Sequence, residues 1–274
     1  MSVMISDWDD AYANGAYIAG AGDYPARWAQ AAAGFRREMT ERQLAECDIA
    51  YGDGERQRLD IFRPQDDIRG LVVFVHGGYW RAFDKSAWSH LASGPTSRGW
   101  AVAMPSYDLA PAVSIAEITC QIGSAVSQAA TLVEGPIRLT GHSAGGHLVT
   151  RMVCSDSPLA AGVRQRIERV VSISGLHDLR ALLKTAMNDD FRMDATQALA
   201  ESPALNQPFE NVELLCWVGA DERPEFIRQS ELLANIWRGF GIETSVHRAA
   251  GQHHFNVIDG LADPQSPLSC ALLG

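Results

Sequence analysis

The chain is poor in cysteine, short of positive charge and free of long apolar runs, and each shortage removes a class of function. Its five cysteines, Cys47, Cys120, Cys154, Cys216 and Cys270, are scattered, with no C-x-x-C and no Cys and His paired at metal-ligand spacing. That pattern argues against a zinc site or a disulfide-stapled secreted fold and suits reduced thiols in a cytoplasmic protein. No cysteine has the electropositive neighbourhood that a catalytic thiol needs. Lys and Arg number 23 against 33 Asp and Glu, a formal charge of -10 with no basic stripe. Neither nucleic acid nor an anionic membrane is therefore an expected partner. No stretch reaches membrane-spanning length, and the acidic start Met1 to Asp10 lacks the basic and apolar regions of a secretory signal.

Repeats and low-complexity linkers are also missing, so the 274 residues read as one large domain spanning 1–274. Apolar, β-branched runs recur at Leu59 to Phe62, Leu71 to Val75, Trp100 to Met104, Ile137 to Thr140, Arg169 to Ile173, Val212 to Val218 and Glu243 to His247. Helix-like segments lie between them, at Ser86 to Arg98, Ser114 to Val133, Gly145 to Cys154 and Pro224 to Gly239. Such alternation predicts an α/β fold, a mostly parallel central sheet with helices on both faces. Two segments depart from it. Residues 1–45 carry Trp8, Tyr12, Tyr17, Tyr24, Trp28 and Phe35 among alanines, which predicts helices folded against the body. Residues 176–205 follow a strand's carboxyl end, the edge where α/β sites form, and read as a lid, a pocket wall or a purely structural excursion.

Chemistry concentrates in Gly141-His142-Ser143-Ala144-Gly145-Gly146, directly after a strand-like run. A G-x-S-x-G between strand and helix forces the serine onto a crowded turn and exposes its hydroxyl, with the Ala144 amide at a helix start where an oxyanion can be met. Alone the pattern also describes an ordinary tight turn. Upstream, His76-Gly77-Gly78-Tyr79-Trp80 follows the buried strand Leu71 to Val75, and Gly77 and Gly78 are placed to give the second set of oxyanion donors. A serine nucleophile requires a base, and the base an orienting acid. Downstream and in that order come two adjacent carboxylates, Asp221 and Glu222, and two adjacent histidines, His253 and His254. Neither pair is resolved by position alone. Among the other histidines, His76 suits a hydrogen-bonding role that holds its loop, His147 suits packing, and His90 and His247 read as surface or strand residues.

These motifs together identify an α/β-hydrolase that resembles the serine-dependent kynurenine formamidases (arylformamidases). The resemblance is carried by His76 to Trp80, Tyr107 to Pro111, Glu117 to Ile122, the elbow, Ser174 to Arg180, Pro224 to Ser230 and His254-Phe255, over about residues 70 to 260. In the family pattern the catalytic histidine directly precedes a phenylalanine, which implies His254. The acid lies two residues before Pro-Glu-Phe, which implies Glu222, with Asp221 as the alternative; family members often carry Asp there, so the glutamate is a departure. The implied reaction is hydrolysis of N-formyl-L-kynurenine, a step of tryptophan breakdown, by Ser143, His254 and the acid, with Gly77, Gly78 and Ala144 as oxyanion donors and no cofactor or metal.

A small-molecule substrate is the expected partner, and the sequence leaves a homodimer open. Tyr79 and Trp80 read either as an aromatic wall for an aryl substrate or as packing beneath the loop. Asn188 and Arg192 read either as contacts to the amino-acid end of kynurenine or as solvated polar residues. The rivals are a short-acyl carboxylesterase with the same machinery and a non-catalytic binding protein on the same fold.

Overall fold

The computed structural model describes residues 5–274, so the first four residues of the segment expected over 1–45, and of the acidic start, lie outside the described residues. Its strands are β1 (Ala45–Ala50), β2 (Arg58–Phe62), β3 (Gly70–Val75), β4 (Trp100–Pro105), β5 (Ile137–His142), β6 (Ile167–Ile173), β7 (Glu213–Gly219) and β8 (Glu243–Ala249). They form one eight-stranded sheet in the order β1-β2-β4-β3-β5-β6-β7-β8. The pairs β1 with β2 and β2 with β4 are antiparallel, and from β4 through β3 to β8 every pair is parallel. This is the α/β-hydrolase fold.

Helices follow as α1 (Trp8–Ala11), α2 (Tyr24–Glu41), α3 (Ser93–Ser97), α4 (Ile115–Leu132), α5 (Ala144–Arg151), α6 (Ala161–Arg164), α7 (Asn188–Phe191), α8 (Ala195–Ala200), α9 (Pro224–Arg238) and α10 (Pro267–Leu273). Pleat alternation splits the core between the faces of the sheet. Leu71, Val73 and Val75 of β3 point to one side, with Ile118, Ile122 and Val126 of α4, Leu148 of α5 and Phe226, Leu233 and Trp237 of α9. Val72 and Phe74 point to the other, with Trp28 and Met39 of α2, Trp88, Leu91 and Leu272 of α10. The buried spacing of α4 is the one legible in sequence, and Ser114 and Glu117 close its start with a capping box.

Three local readings change. β1 joins the sheet as an edge strand although Ala45-Glu46-Cys47-Asp48-Ile49-Ala50 has no apolar alternation, because most of it faces solvent and a bulge interrupts its register after Glu46. The helix expected over Ser86 to Arg98 is two 3-10 turns, Lys85–Ala87 and Ser89–Ala92, before the five-residue α3. There Gly94 packs so tightly that a Cβ would lie 2.3 Å from the Leu261 carbonyl oxygen. The chain also ends in α10, which the alternation did not reveal.

β2 carries a fully buried carboxylate, Asp60, which accepts hydrogen bonds from Arg36 of α2 and from the Asp48 amide at 2.9 Å, and pairs with Lys85 at 2.9 Å. A buried anion is tolerable only when so compensated. The cluster fastens α2, and with it the N-terminal segment, onto the sheet.

Candidate active site

Every sequence-predicted site residue follows the carboxyl end of a parallel strand: His76 after β3, Ser143 after β5, Glu222 just after β7 and His254 after β8. Doubly wound sheets place ligands at this edge.

Ser143 has φ 56° and ψ -117°, a conformation costly for any residue with a Cβ. The turn survives because its neighbours are glycines. A Cβ on Gly145 would stand 1.9 Å from the Val75 carbonyl oxygen, and one on Gly141 would stand 2.3 Å from the Gly145 carbonyl oxygen. The Ser143 amide is tied to the Ile173 carbonyl at 2.8 Å. Ala144 opens α5, so its amide has no partner within the helix.

The loop that follows β3 is held by its first residue. His76 Nδ1 lies 2.7 Å from the Gly77 carbonyl oxygen and donates to it, while the ring stacks on Tyr107 with centroids 4.3 Å apart. The Gly77 carbonyl is thereby fixed, and in a planar trans peptide the Gly78 amide points the opposite way. The Gly78 carbonyl accepts from the Arg81 and Ala82 amides at 3.0 and 3.1 Å, which turns the Tyr79 amide away from that turn in the same manner. Gly78, Tyr79 and Trp80 all have positive φ, at 111°, 50° and 55°. Gly78 and Tyr79 line the cavity described below. Gly77 instead packs beneath the elbow, where a Cβ would be 3.1 Å from Ser143 Cβ.

Of the two carboxylates, Glu222 meets the histidine. It is buried, its Oε2 accepts from His254 Nδ1 at 2.6 Å, and its Oε1 accepts from the Gly219 amide at 2.8 Å and from the Ser174 hydroxyl. Asp221 is exposed and its amide bonds to the Gln252 carbonyl at 3.0 Å. Of the two histidines, His254 is buried while His253 turns outward to the Tyr24 hydroxyl at 3.1 Å. His254 lies between Phe226, 4.4 Å away by ring centroids, and His142, 4.6 Å away.

Ser143 and His254 face a cavity of about 630 Å³. Aromatic side chains, Tyr12, Trp28, Tyr79, Phe83, Trp88 and Phe255, stand in its walls among small and polar residues. The 176–205 excursion contributes only Met187, whereas residues 9–28 contribute a whole wall that includes Asp9, Tyr12, Asn14 and Trp28. This wall is anchored to the site's own elements. The Tyr12 hydroxyl donates to Glu225 at 2.8 Å, Tyr79 donates to the Tyr12 carbonyl at 2.6 Å, and the Asp9 carboxylate accepts from the Ala186 amide at 2.8 Å. Trp80 does not join the wall. It is fully buried, with its ring edge-on to His147 and Phe191, which is the packing alternative for this residue. Asn188 spends its amide on the Met193 backbone at 3.1 Å, and neither it nor Arg192 lines the cavity. Among the described residues no group of three or more His, Cys, Asp or Glu is arranged to hold a metal ion, and no helix is long and apolar enough to cross a membrane.

Burial makes several histidines hard to protonate: it pushes His76 down to about 4 and His147 and His177 down to about 3. In the unfolded chain they return to about 6.5. The unfolded state therefore binds more protons below that pH, so the contribution of these groups to stability is complete above about 6.5 and is lost as the pH falls toward about 4 for His76 and about 3 for His147 and His177. The urea midpoint is expected to fall steeply between these values; a flat midpoint would contradict their buried, neutral state.

A sharp serine turn, a paired acid and histidine, and a lined cavity at the carboxyl edge of this sheet define the class, a hydrolase of the α/β-hydrolase fold. The chain belongs to the BD-FAE family, whose profile matches residues 59–232, and it is a relative of the kynurenine formamidases. The kynurenine formamidase of Salmo salar is 30% identical over 254 residues, covering 86% of this chain and 85% of that protein. A solved structure from Silicibacter sp. tm1040, named a "putative thioesterase", is 51% identical with a TM-score of 0.93 and covers 98% of this chain and 99% of that one. Esterase B from Lactobacillus rhamnosis, at 18% identity, TM-score 0.66 and coverage of 91% of this chain and 90% of that one, shares the fold.

Proposed function

We propose that this hydrolase is serine-dependent and cleaves N-formyl-L-kynurenine to L-kynurenine and formate. The observation that carries the reading is the bond from His254 Nδ1–H to Glu222, which leaves Nε2 unprotonated and basic, in the same cavity as Ser143. His254 takes the Ser143 proton as Oγ attacks the formyl carbon. The amides of Gly78 and Ala144, joined by that of Tyr79, receive the developing oxyanion. Collapse breaks the C–N bond, and His254 returns the proton to the departing aryl amine. Water, deprotonated by the same histidine, then attacks the formyl ester on Ser143; formate leaves and the Ser143 hydroxyl is restored.

Two features favour this substrate. The aromatic walls suit an aryl leaving group, and the kynurenine formamidase of Salmo salar matches across most of both chains. The name of the 51% identical structure makes a thioester a rival substrate for the same machinery, beside the short-acyl ester that the motifs also fit. Comparing kcat/KM on N-formyl-L-kynurenine and 4-nitrophenyl acetate separates them. The formyl amide is expected to be turned over at least as efficiently as the ester. If it is slower by orders of magnitude, the enzyme is an esterase and the formamidase reading fails.

A further inference from the structure

His142, the variable residue of the G-x-S-x-G elbow, makes contacts that the mechanism above does not use. Its ring is buried, lines the cavity and places Nε2 2.9 Å from the backbone carbonyl oxygen of His254. A carbonyl only accepts, so Nε2 carries the proton and Nδ1 is bare. Burial, reinforced by the neighbouring His254, holds the His142 imidazole well below its ordinary pKa, so this tautomer is neutral. The opposite edge of the ring meets the oxyanion loop. A Cβ on Gly77 would lie 3.2 Å from His142 Nδ1 and 2.8 Å from the His142 carbonyl oxygen. One side chain, adjacent in sequence to Ser143, thus bonds to the loop that carries the base and lies close beside Gly77 in the loop that carries the proposed oxyanion donors.

Backbone bonds hold the flanks of the His254 loop, where the Gln252 carbonyl accepts from the Asp221 amide at 3.0 Å and the His253 carbonyl from the Asn256 and Val257 amides at 3.2 and 3.1 Å, whereas the His254 carbonyl is met by the His142 ring. Glu222 restrains the imidazole at Nδ1, but it does not fix the backbone from which the ring hangs. That backbone lies in a turn outside the strands and helices. On its outer side His253 is held by the Tyr24 hydroxyl and by Asn256, whose side-chain oxygen accepts from the His253 amide at 2.8 Å. On its inner side the bond comes from His142.

We infer that His142 is a positioning residue that fixes the His254 main chain, and through it the distance between base and nucleophile, by donating its Nε2–H to the His254 carbonyl. The inference rests on the reading of Ser143 and His254 as nucleophile and base. It does not depend on the acyl group, because misplacing a base slows attack on a formyl amide and on an ester alike.

Three substitutions isolate the donor. Glutamine places an amide N–H near the position of imidazole Nε2, asparagine places it near Nδ1 and too short to reach, and leucine removes it. All three are assayed on 4-nitrophenyl acetate, so that wild-type turnover of N-formyl-L-kynurenine judges the formamidase reading separately. His142→Leu and His142→Asn are expected to lower kcat about 10- to 100-fold with KM within about twofold, the signature of a displaced catalytic group and not of lost binding. His142→Gln is expected to recover most of the rate. A residue that merely packs would be rescued by size and not by the position of its N–H. Equal impairment of Gln and Asn in folded protein, or a kcat within twofold of wild type in either Leu or Asn, would overturn the assignment. If the leucine variant does not fold, the Gln and Asn pair decides.

Discussion

Ser143→Ala is expected to lower kcat on N-formyl-L-kynurenine by at least about 10^4-fold while leaving KM close to wild type. The change removes only the hydroxyl oxygen. The aromatic walls proposed to hold the aryl group lie on other residues, Trp28, Phe83, Trp88 and Phe255 among them, so ground-state binding is expected to persist. The fold also persists, because the strained turn at φ 56° is imposed by Gly141 and Gly145 and by the Ser143 amide bond to Ile173, none of which is touched. Residual activity above the uncatalysed rate would come from the oxyanion donors alone. The variant is checked by steady-state kinetics beside a thermal melt. Loss of rate with an unchanged melt is the expected outcome, and an unchanged rate would remove Ser143 from the chemistry.

Glu222→Gln is expected to cost about 10^3- to 10^4-fold in kcat, as the loss of the orienting acid does in serine hydrolases. The reason lies in what surrounds the carboxylate. Gly219 presents an amide that can only donate, so the single oxygen of a glutamine is drawn to it. The glutamine NH2 then faces His254 Nδ1, which must accept, and the imidazole proton moves to Nε2. A base with its proton already on Nε2 cannot take the one on Ser143. Turning the amide over would restore the tautomer but leave two donors opposed at Gly219, the costlier arrangement in a buried site. Asp221→Asn is expected to stay within about twofold of wild type, since an exposed side chain away from the histidine changes little. A large loss in Asp221→Asn with a small one in Glu222→Gln would reverse the assignment.

The sheet was legible where its strands are buried on both faces. Leu71 to Val75 and Leu214 to Val218 are near-continuous apolar runs because helices cover both sides. β1 was not, since a mostly exposed, bulged edge strand carries no alternation to read. At the site, Ser143, Glu222 and His254 were legible because each follows a strand and their order is fixed by the topology. Choosing between neighbours, Glu222 over Asp221 and His254 over His253, needed either the family pattern or the coordinates, because adjacent side chains diverge and sequence alone does not say which faces inward.

The cavity wall was the least legible part. The segment 176–205, which follows a strand end and reads equally as lid, pocket wall or structural excursion, contributes Met187, and most of the wall comes from residues 9–28, brought in by contacts more than two hundred residues apart such as Tyr12 with Glu225 and Tyr24 with His253. Its one signal was the cluster of Tyr12, Tyr24 and Trp28 in an otherwise alanine-rich segment. Tyr79 and Trp80, adjacent in one motif, diverge for a tertiary reason: Trp80 turns into the core against His147 and Phe191, while Tyr79 stays on the cavity and spends its hydroxyl on the Tyr12 carbonyl. The contact of His142 was not legible because its partner is a backbone carbonyl, which no side-chain pattern encodes.

The most direct measurement is a titration of the enzyme with a fluorophosphonate, following the fraction of Ser143 labelled by peptide mass and the remaining turnover of N-formyl-L-kynurenine in the same samples. Turnover is expected to fall in a straight line and reach zero when Ser143 is fully labelled. Release of kynurenine that survives complete labelling of Ser143 would contradict the account.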